Sequence, residues 1–244
     1  MTDSKQRDQL YADPQEMIVD FAFDEAVVSV FSDMIRRSVP GYAEIIIHIG
    51  LLAQQYAQAD SQCYDLGCSK GAATLAMRKW IPSSCRIIAV DNSSAMIEAC
   101  QQHIQPNEQL ATVQFHCQDI QQTHIENASV VVLNFTLQFI PGAERLAILK
   151  TIHAGLRDGG ILILSEKLGF ENADEQAFQE SMQLAFKRAN GYSEMEISQK
   201  RSALEKVMIP DTLAVHQQRL QQAGFSASHV WFQAFNFASL VAWK

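Results

Sequence analysis

The chain has 244 residues, of which 48% are hydrophobic and 19% charged, and its formal net charge is −8. That length suits one α/β domain with appendages, and the apolar fraction is enough for a sizeable core, which excludes a disordered chain. The acidic balance argues against a broad nucleic-acid-binding face, so no direct nucleic-acid partner is expected.

Residues 1–20 are polar and charged, without an apolar signal core, and read as a loose lead-in. No run approaches the roughly 18 apolar residues of a membrane helix, so the chain reads as cytoplasmic with no membrane partner. Residues 24–57 read as helices interrupted at Pro40-Gly41, a helical extension or lid ahead of the main fold. Strands and helices then alternate. A strand ends at Cys63-Tyr64, a helix covers 71–80, and a second strand covers 86–90. A helix over 94–104 follows, then a third strand at 114–117 and a fourth, nearly continuously apolar, at 129–135. A helix over 143–156 ends at Gly159-Gly160 before a fifth strand at 161–165. Strands apolar throughout, alternating with helices, predict a parallel sheet covered on both faces.

The stretch 166–210 breaks the rhythm as a polar, charge-rich helical insertion carrying two basic pairs, Lys187-Arg188 and Lys200-Arg201. Alternation resumes with a helix over 212–223 and two closing strands, 228–232 and 237–243, close enough to form an antiparallel hairpin. Five cysteines, Cys63, Cys68, Cys85, Cys100 and Cys117, include no C-x-x-C pair. They read as free buried thiols in a reducing compartment, and a zinc site needs tighter ligand clustering, so no metal is expected.

The chemistry concentrates at strand ends. Residues 64–71, Tyr-Asp-Leu-Gly-Cys-Ser-Lys-Gly, occupy a strand-to-helix junction, where Gly67 permits a sharp turn and close approach of backbone N–H groups to a ligand. Alone, such a loop is equally an ordinary turn. Asp91 ends the next strand, 24 positions after Gly67, where an acid can bind both hydroxyls of a ribose. It also suits a helix N-cap, with Asn92, Ser93 and Ser94 following, and the two roles are compatible. Asp119, after the third strand and before Ile120, can accept from an exocyclic amine such as that of adenine. Asn134 ends the fourth strand. Asp65, Asp91, Asp119 and Asn134 should all lie at the carboxyl edge of a parallel sheet, where ligands sit near the reversal of strand order.

At these residues the chain resembles class I S-adenosylmethionine-dependent methyltransferases. The resemblance implies a Rossmann-like, seven-stranded, mostly parallel sheet with an antiparallel last strand, making one domain over residues 1–244. Ser69 stands where that family usually has glycine. This weakens a dinucleotide reading more than an S-adenosylmethionine reading, because the latter ligand has no pyrophosphate for the backbone to approach. A closer resemblance, over nearly the whole chain, is to carboxy-S-adenosylmethionine synthases. It is carried by FDE at 23–25, DMI at 33–35, RSVPGY at 37–42, the glycine loop, LNFTLQF at 133–139, FKRANGYS at 186–193 and EISQKR at 196–201.

That resemblance implies an enzyme that places a carboxylate on the methyl of S-adenosylmethionine. Prephenate is the carboxyl source, and carboxy-S-adenosylmethionine and phenylpyruvate are the products. The product serves a partner enzyme that carboxymethylates a hydroxylated wobble uridine in tRNA. It further implies a homodimer with 166–210 at its interface, and substrate contacts at Tyr42, Gly67, Cys68, Ser69, Asp91, Asn92, Asp119, Ile120 and Asn134. Arg201 is expected to reach into the other subunit's site and bind the new carboxylate. A guanidinium repels the sulfonium of the unmodified substrate, yet binds a carboxylate on the same methyl bidentately. From spacing alone, Lys200-Arg201 among Glu194, Glu196 and Glu205 reads instead as a solvated helix face. In the implied chemistry prephenate aromatises with loss of carbon dioxide, and a sulfonium ylide captures it. Prephenate itself is the candidate base, since neither His116 nor His124 stands out. An ordinary small-molecule methyltransferase would share the nucleoside site, and so would an idle nucleoside-binding scaffold. The latter should have lost acids such as Asp65, Asp91 and Asp119.

Overall fold

A computed structural model describes residues 7–15 and 19–244. The remainder of the expected lead-in, 1–6 and 16–18, lies outside the described residues. Seven strands form one sheet: β1 Gln62–Leu66, β2 Arg86–Asp91, β3 Thr112–Cys117, β4 Ala128–Asn134, β5 Leu156–Lys167, β6 Ala227–Ala234 and β7 Phe237–Trp243. Their order is β3-β2-β1-β4-β5-β7-β6. β1 to β5 run parallel, and β7 lies antiparallel between β5 and β6. This is the parallel sheet expected from the alternation, completed to the Rossmann-like seven strands with an antiparallel last strand that the resemblance implied.

Strict alternation of side chains builds a core on each face of the central strands. Val130, Val132, Ile161 and Ile163 pack with Ile45 and Ile49 of α2 (Tyr42–Tyr56) and Met77 of α3 (Ala72–Arg78). Val131, Leu133, Leu162 and Leu164 face the other way. They meet Leu149 and Ile152 of α5 (Gly142–Gly155) and Leu220 of α8 (Leu213–Ala223). Each such side chain, fully buried, contributes roughly 1.5–3 kcal/mol. The expectation of strands apolar throughout fails at β3 and β6, whose residues are largely part-exposed. Both are edge strands, and polar edges discourage pairing with another chain. Gly159-Gly160 also differs from expectation. It does not end the helix but lies inside β5, where the register against β4 shifts. The helix stops at Gly155, where a Cβ would stand 2.2 Å from the Ile125 carbonyl oxygen.

Over the carboxyl edge of the sheet lie α1 (Glu25–Ser38), α6 (Ala173–Ala189) and α7 (Glu194–Leu204). Their starts are written locally. Asp24 accepts from Val27 N, Asn172 from Glu175 N, and Ser193 forms a capping box with Glu196. The insertion leaves and rejoins the fold at an isolated bridge between Leu168 and Asp211, so Glu166 and Lys167 belong to β5 rather than to it. Its far end is anchored by fully buried Arg145, which donates to Asp211 Oδ2 at 2.5 Å.

The lead-in, expected to be loose, is tied down through 7–15. Buried Asp8 accepts from the Tyr192 hydroxyl and lies 3.5 Å from Lys200 Nζ. Arg37 donates to Asp33, to the Asp8 carbonyl and to the Asn190 carbonyl. Gln199 Nε2 donates to the carbonyls of Tyr11 and Asp13. The lead-in, α1, α6 and α7 thus make one roof. Among the described residues no helix is long and apolar enough to cross a membrane.

Candidate active site

The strand order reverses at β1, between β2 and β4, so a crevice opens at the carboxyl ends of these strands. The glycine loop forms its centre. Gly67 has φ +82°, and a Cβ there would stand 2.4 Å from Thr136 Oγ1, so this turn requires glycine. Gly67 N and Cys68 N both donate to the Val90 carbonyl, at 2.8 and 2.9 Å. Ser69 has φ +46°, in the left-handed region, which is the physical reason glycine is usual there. Its backbone N donates to Asp91 Oδ2 at 2.9 Å.

Asp91 is not the helix cap: Ser93 is, and Asp91 braces that cap from below. Oδ1 accepts from Ser93 N at 3.0 Å, while the Ser93 hydroxyl caps α4 (Ser94–His103) by accepting from Met96 N. The carboxylate stitches the loop to the helix start and still faces the crevice. Burial raises its pKa above the usual carboxylate value. Asp65 is fully buried and accepts from Thr74 Oγ1 at 2.6 Å. Burial, with the Asp91 charge adding to it, raises its pKa to about 6. Asp119 Oδ1 accepts from Asn92 Nδ2 at 3.0 Å. Asn134 Oδ1 is buried with no hydrogen-bond partner, an acceptor aimed at something the protein does not supply. The next residue, Phe135, has φ +62° and turns the chain sharply away.

One cavity of about 1110 Å³ gathers all ten expected site residues: Tyr42, Gly67, Cys68, Ser69, Asp91, Asn92, Asp119, Ile120, Asn134 and Arg201. Arg201 stands on the rim of its own chain's cavity. Its side chain is two-thirds exposed and lies 3.6 Å from Glu180. Aromatic rings also line the cavity, with Phe23 edge-on to Phe139 at 5.5 Å and to Phe21 at 5.2 Å.

The wall made by β5, α6 and α7 is cationic in a way the sequence reading missed. Lys167, Lys187, Lys200 and Arg201 all line it. Lys200-Arg201, which by spacing reads as a solvated face, in fact divides, and so does Lys187-Arg188. Lys187 and Lys200 are buried, while Arg201 is exposed and exposed Arg188 pairs with Glu194. Neighbours on a helix point about 100° apart, so one member of a pair faces in and the next faces out. Burial, then the charge of Lys200, pulls Lys187 down to about 7. Burial pulls Lys200 to about 8, against the opposing effect of Asp8. A long-range signal, the complementarity of Lys200 to Asp8, would have been needed to find this wall.

Of the five thiols, four are buried, and Cys117 at the exposed end of β3 is the exception to the expected set. Among the described residues no cluster of three or more His, Cys, Asp or Glu could hold a metal ion. The crevice instead offers an acidic floor at the strand ends and a basic wall beside it. Such a cavity can hold a cation and an anion next to each other.

A family profile described as "Methyltransferase domain" matches residues 64–160. The chain is 62% identical over 243 residues to the carboxy-S-adenosyl-L-methionine synthase of Citrifermentans bemidjiense, covering 99% of this chain and 100% of that one. It is 62% identical over 239 residues to the protein of the same name from Geobacter metallireducens, covering 97% and 98%. Human N-acetylserotonin methyltransferase, solved in complex with SAM, superposes with a TM-score of 0.59 at 17% identity, over 90% of this chain and 55% of that one. At that identity the likeness speaks for the fold alone.

Proposed function

The chain belongs to the carboxy-S-adenosyl-L-methionine synthase family, and we propose that it converts S-adenosylmethionine and prephenate to carboxy-S-adenosylmethionine and phenylpyruvate. The observation that carries this reading is the polarity of the cavity, with buried acids at the strand ends and buried cations on the adjoining wall. In the floor, Asp91 binds the ribose hydroxyls and Asp119 accepts from the adenine amine beside Ile120. The orphaned Asn134 Oδ1 accepts from the amino group of the methionine part. The backbone of Gly67, Cys68 and Ser69 and the ring of Tyr42 enclose the rest.

The reaction balances without an oxidant or a metal. Prephenate loses its ring carboxylate as carbon dioxide and its ring hydroxyl as hydroxide, which leaves phenylpyruvate. The hydroxide takes a proton from the methyl group on sulfur and becomes water. The carbon left behind bonds to the carbon dioxide, and the adjacent positive sulfur stabilises the charge that develops. The cavity's part is to hold both reactants close and keep solvent from the carbon dioxide. We propose that the product then supplies a carboxymethyltransferase acting on the wobble uridine of tRNA in the cytoplasm.

We also propose an isologous dimer in which Arg201 of the partner subunit binds the new carboxylate. Its wide exposure, and a single long ion pair among the described residues, support this. The test of function is mass spectrometry of the nucleoside formed from the purified protein, S-adenosylmethionine and prephenate. The expected species is one carbon dioxide heavier than the substrate, and it forms only with prephenate. S-adenosylhomocysteine made with some other acceptor would establish an ordinary methyltransferase instead. Heterodimers that pair an Arg201→Ala subunit with a subunit disabled at Asp91 should recover one working site in two. No recovery would place Arg201 in its own chain's site.

A further inference from the structure

The cavity, at about 1110 Å³, is at the upper end of the roughly 300–1,000 Å³ typical of small-molecule sites. The acids at the strand ends account for the nucleoside. The opposite wall is left over, and its composition is unusual, because buried lysines are rare unless paired. Lys187 is 9% exposed, and among the described residues its Nζ has neither an ion pair nor a hydrogen bond. The charges acting on it are those of Lys200, Lys167 and Arg201, all cations, with Asp8 the one carboxylate.

The other acids near this wall are already engaged, although Glu180 offsets part of the burial cost at Lys167. Asp8 is engaged by Lys200 and Tyr192, and Glu180 by Arg201. Glu205 stands exposed at the rim. Lys167, from the end of β5, completes the cluster and makes no ion pair of its own among the described residues. Three elements thus converge ammonium groups on one side of a cavity, a costly arrangement unless an anion fills it.

We propose that Lys187 and Lys167 seat the carboxylate that the carboxyl donor keeps, so that the cavity selects a dianion whose two carboxylates are read separately. This rests on the proposed function. The donor's ring carboxylate is transferred and meets arginine, whereas its side-chain carboxylate survives in the α-keto acid product and stays with the lysines. One residue set should therefore recognise donor and keto-acid product, and another should recognise the carboxylated nucleoside.

The experiment titrates prephenate and phenylpyruvate into protein saturated with S-adenosylhomocysteine, which has no methyl group and cannot react. Lys187→Met is expected to weaken both ligands on the order of tenfold or more, while carboxy-S-adenosylmethionine binds as to the wild type. Lys187→Arg should keep most of the affinity. Lys167→Met should shift both ligands in the same direction and serves if Lys187→Met does not fold. Folded Lys187→Met should also be more heat-stable without ligand, since it removes an unpaired buried charge. Unchanged prephenate and phenylpyruvate affinity in folded Lys187→Met and Lys167→Met would overturn the seat, as would absence of prephenate binding to the wild type. If the wild type binds prephenate through Lys187 yet forms no carboxylated nucleoside, the seat stands and the proposed reaction falls.

Discussion

The floor of the cavity is held by contacts close in sequence, such as Ser69 N to Asp91 across 22 positions and Asn92 to Asp119 across 27. The roof is held by contacts such as Tyr192 to Asp8, across 184 positions. The two also differ in charge. The floor buries carboxylates without cations beside them, and the roof and wall bury ammonium groups with too few acids. Each region holds its charges in an unfavourable state that a ligand of opposite sign relieves. On the function proposed above, the nucleoside relieves one side and carboxylates relieve the other.

Asp8→Ala should have the largest effect, because it breaks the roof and leaves Lys200 buried without its partner. Removing one member of a buried pair costs about 3–5 kcal/mol, which for a chain of this size lowers Tm by roughly 6–20 °C. Urea unfolding followed by tryptophan fluorescence reads the loss. The double variant Asp8→Ala, Lys200→Met should recover much of it, since no uncompensated charge remains. A single variant as stable as the wild type would mean that the lead-in does not hold the roof.

Floor and roof should respond to pH with opposite sign. Glu166 lies in β5 beside the floor strand β4, with Oε1 accepting from Leu137 N and Oε2 unpartnered, and burial raises its pKa from 4.5 to about 8. The folded state then binds more protons than the unfolded state between those values, so this group's contribution to stability falls as pH rises through that window. Asp65 acts likewise, from 3.8 to about 6. Lys187, depressed from 10.5 to about 7, does the reverse. Between those values the unfolded state binds more protons, so stability rises with pH. Glu166→Gln should flatten the falling limb by a few kcal/mol, and Lys187→Met should flatten the rising one. Chemical denaturation of the ligand-free protein from about pH 5 to pH 10 checks both. A Glu166→Gln profile parallel to the wild type would show that the carboxylate is not held protonated.

Asp91→Ala should weaken S-adenosylmethionine binding by roughly 1.5–3 kcal/mol, about 10- to 100-fold. The same change frees the backbone N–H groups of Ser69 and Ser93, so a loss of stability should accompany it. Asp91→Asn separates the two effects, because its oxygen can still accept from one of those groups. Calorimetry beside thermal melts measures both, and intact affinity in a folded Asp91→Ala would remove this residue from the ribose.

The floor was legible in the sequence and the roof was not, for one physical reason. A strand-end acid such as Asp91 sits at a position set by local pattern, namely an apolar strand followed by capping residues. Lys187 and Lys200 took their character from burial against a segment far away in the chain. In the sequence they look like the solvated Arg188 and Arg201 beside them. The lead-in misled in the same way, since one polar residue, Asp8, becomes a buried partner once the insertion folds over it. The glycine pair at 159–160 misled differently, because a left-handed turn serves a strand irregularity as well as a helix end.

Ser69 gives the smallest expected effect and tests how much the floor depends on backbone conformation alone. A non-glycine residue in the left-handed region costs about 1–2 kcal/mol, and Ser69 is held there at φ +46° by the bond from its N to Asp91. Ser69→Gly removes that cost but gives the unfolded chain more freedom, which offsets roughly 0.5–1 kcal/mol of the gain. The net change should be a stabilisation of about 1 kcal/mol or less, with S-adenosylmethionine affinity within about threefold of the wild type. Ser69→Val should be clearly worse, because a β-branched side chain is disfavoured at positive φ. Paired melts and titrations of the two variants decide the point. If glycine costs affinity as much as valine does, the serine hydroxyl touches the substrate, and the floor recognises it through a side chain that the glycine usual in class I methyltransferases lacks.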